Sequence, residues 1–312
     1  MALRFQRPAR ALGASLAAVI MLTVAACASK STPTSSGSGS GACASAPSDP
    51  YGATCDATLA AQVPSSLRSA GAVTVASDAT YPPMESITPG TTTIVGADVD
   101  LGHAIGTVLG IPFNFQNVTF DKILLGLSAG QYDLGMSAFT DSKDREKTVD
   151  FVDYLQAGTS FVTPATSTLS LTSLDQICGV TVAVESGTTE QSDAQGQSKK
   201  CTSSGKKAVA VLAFPTQSQA NLTLLAGRAQ AMMADTPVAA YQVKLSNGKF
   251  KLGGAYGVAP YGIAIPKNSG MDKPIQGALE KLIASGVYAK ILQKWGLTSG
   301  AVTTPTINGA IS

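Results

Sequence analysis

The sequence predicts an α/β protein built as two lobes. Short, β-branched apolar runs such as 73–76 and 180–184 alternate with amphipathic stretches, which is typical of strands alternating with helices around mostly parallel sheets. Roughly 230 residues follow this alternation, more than one small α/β unit needs. The order strand, polar turn, helix, strand occurs twice, beginning once at Val73 and once at Val180.

The individual elements follow from apolar periodicity and from their stop signals. Gly110 and Gly130 end two amphipathic stretches of the first half, and Gly286 interrupts the last one. The predicted strands are 73–76, 132–136, a run around Phe161, 180–184, 209–212 and 231–234. The predicted helices are 98–109, 119–129, 188–200, 218–225 and two consecutive ones between 275 and 295.

The N-terminal segment predicts export. Three arginines precede an apolar run, 11–24, that is too short to cross a hydrocarbon core of ~30 Å but fits a signal peptide. The sequence Leu-Thr-Val-Ala-Ala-Cys, ending at Cys27, resembles a lipobox, whose Cys becomes the lipidated first residue. We therefore expect 1–26 to be a lipoprotein signal peptide. An ordinary signal peptide with an incidental Cys, or an N-terminal membrane anchor, is the alternative.

After the leader, 27–66 is expected to be a tether and N-terminal extension, because 29–41 is a polar Gly/Ser tract with nothing to bury. Removing the three leader arginines lowers the 22 basic residues to 19, against 20 acidic residues. No basic stripe is present, so we expect no nucleic-acid partner. No later segment is apolar and long enough to cross a membrane.

Four cysteines remain once Cys27 is assigned to lipid, and outside the cytoplasm they predict two disulfides. These are Cys43, Cys55, Cys178 and Cys201. Three pairings are open, and proximity in sequence favours 43 with 55 and 178 with 201. The chain has no Cys-x-x-Cys and a single histidine, His103, on an expected solvated helix face. We therefore expect no metal site, no cofactor and no catalytic nucleophile.

Eight short motifs occur in an order that resembles a known family. They are 77–85, 96–101, 137–140 followed by Arg145, 150–151, 186–190, 235–237, 261–264 and 288–295. Together they resemble the polar amino-acid substrate-binding proteins of ABC importers (solute-binding family 3), which include histidine, lysine/arginine/ornithine and glutamine binding proteins. The resemblance covers roughly residues 67–297.

The resemblance implies a periplasmic-binding-protein type II fold, with two mixed sheets flanked by helices and a two-strand hinge. Lobe 1 would comprise 67–157 and 262–298, lobe 2 would comprise 158–261, and 299–312 would be a C-terminal tail. Ligand would be trapped between the lobes by hinge closure. The implied partners are an amino-acid ligand, the ABC permease subunits, and the membrane through lipid at Cys27, with the chain itself a monomer.

The resemblance also implies a ligand site. Arg145 would bind the ligand carboxylate through its planar fork, and Asp235 would bind the ammonium. The main-chain N–H groups of the 188–189 turn would add donors at a helix start. The implied ligand-binding residues are Asp78, Tyr81, Ser137, Ala138, Thr140, Arg145, Thr188, Thr189, Glu190 and Asp235. Ala138 stands where histidine-binding relatives often carry serine, and Glu190 stands where Gln or Gly is common.

Other interpretations apply to single residues. An isolated Arg after a strand is usually a surface residue, and Asp235 could simply cap the following helix. Tyr81 could belong to the core rather than to a side-chain pocket. Trp295 is expected to anchor the last helix. Five charged residues are expected to form a solvated turn: Asp141, Lys143, Asp144, Glu146 and Lys147.

A charge count indicates which ligand the site would prefer. Arg145 and Asp235 neutralise a zwitterion, which leaves Asp78 and Glu190 for a cationic side chain, so arginine, lysine or ornithine is expected. Glutamine is the alternative, because Asp78 can also accept an amide hydrogen bond. We expect no enzyme; the competing functions are a cyclohexadienyl dehydratase-like cleft enzyme with Glu190 as general acid, and a ligand sensor for a membrane partner.

Overall fold

The computed structural model describes residues 41–44 and 46–311. The predicted leader, Cys27 and most of the tether lie outside these residues. The chain from Ser38 to Ser312 forms one compact unit.

Helices and strands alternate through most of the described chain. The helices are α1 (Ala57–Gln62), α2 (Ser65–Ala70), α3 (Ala97–Val108), α4 (Phe120–Ser128), α5 (Thr189–Ser203), α6 (Gln217–Leu225), α7 (Thr236–Leu245), α8 (Asp272–Ala284) and α9 (Val287–Trp295). The strands are β1 (Val73–Ser77), β2 (Thr80–Tyr81), β3 (Glu85–Ile87), β4 (Ile94–Val95), β5 (Phe113–Asn117), β6 (Leu134–Gly135), β7 (Val149–Pro164), β8 (Thr181–Glu185), β9 (Ala210–Phe214), β10 (Ala231–Asp235) and β11 (Phe250–Pro266). Every predicted element is present, with ends shifted by a few residues.

One eight-stranded mixed sheet runs through the molecule in the order β5-β1-β6-β11-β7-β10-β8-β9. β1 pairs in parallel with β5 and β6, and β8 pairs in parallel with β9 and β10. These two parallel groups are the two sheets expected from the sequence. The long antiparallel strands β7 and β11 join them into one sheet. A small antiparallel sheet, β2-β3-β4, lies apart from it.

The two long strands form the connection between two lobes. At one end β11 pairs with β6 through Ala264 and Gly135, and at the other end β7 pairs with β10. The pairing of β7 with β11 changes register between Tyr256 and Ala259 and again between Tyr261 and Gly262. The lobe boundaries expected near 157 and 261 fall inside these strands, and the two-lobed type II fold is confirmed.

Burial explains why the parallel strands read as continuous apolar runs. Val73, Val75 and Ala76 of β1 are fully buried, as are Val182, Ala183 and Val184 of β8, because helices cover both faces. Such strands present side chains to water only at their ends, which is where the polar residues follow.

The two disulfides have the pairing that proximity in sequence favoured. Cys43 is bonded to Cys55, and Cys178 is bonded to Cys201.

Both terminal segments pack on the first lobe. In the tail, the Asn308 side chain accepts a hydrogen bond from the Phe151 N–H of β7 at 2.8 Å. The Trp295 indole N–H donates to the Asp100 carboxylate at 2.7 Å, as expected for an anchor of the last helix. Among the residues described, no helix is long and apolar enough to cross a membrane.

Candidate ligand-binding cleft

The candidate site lies where strand-end loops of the two lobes meet. The turn after β1 faces the turns after β8 and β10, and the lobes touch on both sides of this cleft. On one side the Gln217 N–H of α6 donates to Thr80 Oγ1 at 3.2 Å. On the other side Arg145 Nη2 donates to the Gly187 carbonyl at 3.1 Å. The cleft is therefore closed in this structure.

Close approach of the lobes depends on Gly187. Its φ is +82°, in the left-handed region that favours glycine, and an added Cβ would lie 3.0 Å from the Asp121 Cα of α4. A side chain at this position would both strain the turn and press against the opposite lobe.

Arg145 lies at the start of a short 3₁₀ turn, Arg145–Lys147. Its guanidinium donates to the carbonyl of Thr140 at 2.8 Å and lies 5.4 Å from the ring centroids of both Phe120 and Phe139. No ion pair of Arg145 occurs among residues 41–44 and 46–311. Burial lowers the pKa of Arg145, while Glu190 and Asp235 act in the opposite direction. Its charge thus faces two carboxyl groups without being paired in the described chain.

Asp235 is the last residue of β10 and is 6 % exposed. It occupies the position before α7, yet its side chain makes no capping hydrogen bond. Burial, followed by the charge of Glu190, raises the pKa of Asp235 well above its usual value. The capping interpretation is therefore wrong, and the Tyr261 hydroxyl and Glu190 lie beside the carboxyl.

The first turn of α5 carries three predicted site residues. Thr188 caps the helix, since its hydroxyl accepts from the Gln191 N–H at 3.2 Å and donates to the Glu185 carbonyl at 2.8 Å. Glu190 is 1 % exposed and accepts hydrogen bonds from the hydroxyls of Thr159 at 2.7 Å and Thr189 at 3.2 Å. The first N–H groups of a helix have no partner within it, so this turn can donate to an anion.

On the opposite lobe, Asp78 is fully buried and well satisfied. Its Oδ1 accepts from the N–H and hydroxyl of Thr80, and its Oδ2 accepts from the Phe120 N–H at 2.9 Å. Burial raises the pKa of Asp78, and these hydrogen bonds oppose the rise. Tyr81 stacks on Phe120 with ring centroids 6.1 Å apart. Burial, and then the charges of Glu185, Glu190 and Asp235 of the second lobe, raise the pKa of Tyr81.

The predicted motif 137–140 makes hydrogen bonds to Asp78 and to two further buried acids of lobe 1. The Ser137 hydroxyl accepts from the Asp78 N–H at 2.9 Å and donates to Glu85 at 2.7 Å. The Ala138 N–H, at a φ of 47°, donates to Asp98 at 2.9 Å. Thr140 forms an isolated antiparallel bridge with Tyr261. The Ser137 hydroxyl and the Ala138 N–H are thus occupied within the protein.

Sequence reasoning missed several residues at the cleft. Phe120 and Phe139 flank Arg145, and the hydroxyl of Tyr261 is buried without a partner among the described residues. The most consequential is Glu185, the last residue of β8. A signal was available, because Asp78, Glu185 and Asp235 all stand at the carboxyl end of a buried strand.

The expectation of a solvated charged turn after Thr140 is wrong for Asp141 and for Glu146, whose side chain is only 14 % exposed and accepts from the Ala310 N–H. Lys143 pairs with Glu146 at 3.0 Å and Lys147 with Asp144 at 2.6 Å at the surface. Asp141, however, is 2 % exposed, because it packs against the buried Asp153 of β7. Burial and the Asp153 charge raise the pKa of Asp141 to about 7.

Residues 73–298 match the bacterial extracellular solute-binding proteins, family 3. The chain belongs to this family. The arginine-binding protein ArgT of Corynebacterium glutamicum is 34 % identical over 250 residues, covering 80 % of this chain and 82 % of that relative.

Two solved structures resemble the fold closely. One is an ancestral arginine-binding protein bound to arginine, with a TM-score of 0.66 and 34 % identity, covering 72 % of this chain and 98 % of that one. The other is the ancestral amino acid-binding protein AncCDT-1, a precursor of cyclohexadienyl dehydratase, with a TM-score of 0.67 and 28 % identity, covering 76 % and 99 %. The family confirms a substrate-binding subunit of an ABC importer that acts outside the cytoplasm.

Proposed function

We propose that this family 3 protein captures a cationic L-amino acid, arginine before lysine and ornithine, and delivers it to an ABC permease. The observation that carries the proposal is the charge of the cleft. The guanidinium of Arg145 faces Glu190 and Asp235, and Asp78 of the first lobe adds a further acid, beside Glu185. The name of the arginine-binding relative ArgT supports the same ligand.

The zwitterionic end of the ligand accounts for two of these groups. Its carboxylate would bind Arg145, which makes no ion pair in the described chain, and the N–H groups at the start of α5, around Thr188 and Thr189. Its ammonium would bind Asp235, whose side chain makes no capping bond. Burying either ligand charge without such a partner would cost several kcal/mol, about 3–5.

The remaining acids determine the preference among amino acids. Asp78 and Glu190 would carry the negative charge facing the ligand side chain, with Tyr81 and Phe120 as its aromatic wall. A neutral glutamine would leave these acids without a cationic partner. The motif 137–140, with Ser137, Ala138 and Thr140, would shape the site. The Ser137 hydroxyl accepts from the Asp78 N–H, and the Ala138 N–H donates to Asp98 of α3.

A binding role without catalysis fits the geometry better than a cleft enzyme. A general acid at Glu190 would have to transfer its proton, yet both Glu190 oxygens accept hydrogen bonds from threonine hydroxyls. A sensor would use the same binding chemistry, and its membrane partner would distinguish it from an importer subunit.

The test is isothermal titration of residues 38–312 with arginine, lysine, ornithine, glutamine and citrulline, supported by thermal shifts. Micromolar or tighter binding confined to the three cationic amino acids is the expected result. Binding of glutamine alone would keep the transport role and overturn the charge argument. Binding of none of them would overturn the proposed ligand class.

We also propose that lipid at Cys27 anchors the protein to the outer face of the membrane. The support is the lipobox-like sequence before Cys27, since this cysteine precedes the described residues. In cells, Cys27→Ser should abolish incorporation of labelled fatty acid and move the protein from the membrane fraction to the medium. A variant that still carries lipid would contradict the assignment.

A further inference from the structure

We propose that Glu185 is a specificity-determining residue that binds the terminal cation of the ligand side chain together with Asp78 of the opposite lobe. The inference rests on the proposed binding of a cationic amino acid and adds to it the group that separates charged from neutral ligands. It predicts that arginine is preferred over citrulline, which has the same shape but a neutral end.

The first observation is the position of Glu185. It is the last residue of β8, a strand whose preceding residues are fully buried, so the sheet delivers its side chain to the cleft edge. The hydroxyl of Thr188 donates to the Glu185 carbonyl at 2.8 Å, which fixes the backbone at this point. The turn that follows contains Gly187 and contacts the first lobe.

The second observation is that the carboxyl of Glu185 is unsatisfied. Glu185 is 0 % exposed, and neither of its oxygens has a hydrogen-bond partner in the part of the chain that the structure describes. Buried polar groups are normally paired, and an exception calls for an explanation, of which an absent ligand is one. Burial, and then the nearby Asp78 carboxylate, raise the pKa of Glu185 to about 10, while the Tyr81 hydroxyl and the Gln217 N–H beside it act in the opposite direction. The group is therefore neutral when no cation is present.

Asp78 alone is poorly suited to bind the ligand cation. Both of its oxygens already accept hydrogen bonds, from Thr80 and from the Phe120 N–H. A guanidinium presents several N–H donors in a fixed fork and needs acceptors in matching positions. Glu185 adds a second carboxyl beside Asp78, with the Tyr81 hydroxyl and the Gln217 N–H as its polar neighbours. The pair therefore provides both the charge and the acceptors that an arginine or lysine end requires.

The two acids come from different lobes, which couples ligand charge to closure. Asp78 follows β1 and Glu185 follows β8, so they approach each other only when the lobes close. Two ionised carboxylates would repel at this point, whereas a cation between them attracts both. A cationic side chain thus stabilises the closed form, and a neutral one leaves Glu185 protonated.

The test compares arginine with citrulline in titration calorimetry of residues 38–312. The variants are Glu185→Gln and the control Glu280→Gln, which removes an acid from the exposed face of α8. Wild type should prefer arginine strongly. E185Q should bind arginine at least about tenfold more weakly and citrulline within about threefold of wild type, because it loses a charge-assisted contact. E280Q should match wild type.

The outcomes separate this inference from the proposed function. If wild type binds arginine tightly and E185Q retains the same ratio of arginine to citrulline affinity, the role of Glu185 is overturned and the transport function stands. If wild type binds no cationic amino acid, the proposed function itself fails.

A second readout uses wild type and does not depend on the folding of E185Q. Titrations at pH 8 in buffers of different ionisation enthalpy count the protons released on binding. Arginine should release more protons than citrulline, because only arginine ionises Glu185. Asp235 meets the same ammonium in both ligands. Asp78 and Tyr81 are the other titratable groups that face Glu185, and Glu190, whose oxygens both accept from threonine hydroxyls, is the further acid on the side-chain side of the site. Equal proton counts would overturn the inference.

Discussion

The acids that the two lobes bring to the cleft are held in different ways. In lobe 1 every oxygen of Asp78 and Asp98 accepts a hydrogen bond, from Thr80, Phe120, Tyr154 and Ala138. In lobe 2 Glu185 has no partner among the described residues, and Asp235 makes no capping bond. At the cleft, the Asp78 carboxylate of lobe 1 is therefore satisfied within its own lobe, whereas no described donor bonds to the Glu185 carboxyl of lobe 2. Away from the cleft lobe 1 also has buried acid oxygens without a partner among the described residues, on Glu85, Asp141 and Asp153.

This difference indicates how binding and closure are divided between the lobes. A satisfied surface is rigid and can hold an aromatic wall such as Tyr81 on Phe120. Unsatisfied acids are costly until a cation arrives, so they favour closure around a ligand that supplies one. Lobe 1 in turn supplies a cation to the acids of lobe 2. Arg145 makes no ion pair among the described residues, and its charge lies near Glu190 and Asp235.

The largest effect is expected from Arg145→Ala. It removes the partner of the ligand carboxylate and the contact with the Gly187 carbonyl across the cleft. Arginine affinity measured by calorimetry should fall about 100-fold or more, because a buried ligand charge is left unpaired. Lys143→Ala, on the same turn but exposed, is the control and should bind normally. Wild-type affinity in R145A would remove Arg145 from the site.

The next effect is expected from Asp235→Asn. It keeps the shape of the side chain and removes the charge offered to the ligand ammonium, so affinity should fall by roughly 10- to 100-fold. The melting temperature of the ligand-free protein should hold or rise, because the raised pKa shows that the ionised form is unfavourable in the fold. Asp175→Asn, exposed in the same lobe, should change neither value. A loss of stability with unchanged affinity would assign Asp235 a structural role.

A smaller effect on affinity is expected from Gly187→Ala. The added Cβ would meet Asp121 at 3.0 Å only when the lobes are closed, and the backbone φ of +82° disfavours alanine. Arginine binding should weaken by about threefold to tenfold. Gly196→Ala is the matched control, because nothing lies within 4 Å of its added Cβ on α5. Equal affinities in the two variants would show that the lobes do not close onto Gly187.

The smallest effect concerns stability and its pH dependence. The folded-state pKa of Asp141 is raised from 3.8 to about 7, by burial and then by Asp153. The fold therefore loses stability as pH rises from about 4 through 7, where the unfolded chain is already ionised. Asp141→Asn should raise the melting temperature at pH 8 by several degrees, roughly 2–8 °C, and by little at pH 4.

The control for this prediction is Asp144→Asn on the same exposed turn. Its carboxylate pairs with Lys147 at the surface, where such pairs contribute little. A melting temperature of D141N that exceeds wild type equally at pH 4 and pH 8 would contradict the assigned titration. Glu146 and Lys143 also face Asp141, and the substitution leaves both in place.

Several parts of the fold were predictable because their signals are local. Glycine stop signals gave the ends of α3 and α4 to within a residue, and the break between α8 and α9 at Gly286, where φ is +77°. The strands β5 and β11 and the helix α7 were not predicted. Asn114, Gln116 and the glycines of β11 obscure the apolar pattern, and these elements depend on long-range pairing.

The sequence by itself determined the fold class and the family, because periodicity and motif order are properties of the chain. The export signal and the acids and base proposed for the cleft are predictions from the same motifs. Tertiary structure alone decided which polar groups are satisfied. Ser137, Thr188 and Asp78 have hydrogen-bond partners that are close or distant in sequence, whereas Glu185 has none among the described residues. Whether a buried carboxyl is neutral and lacks a hydrogen-bond donor depends on its neighbours in space. Those neighbours are brought together only when the two lobes meet.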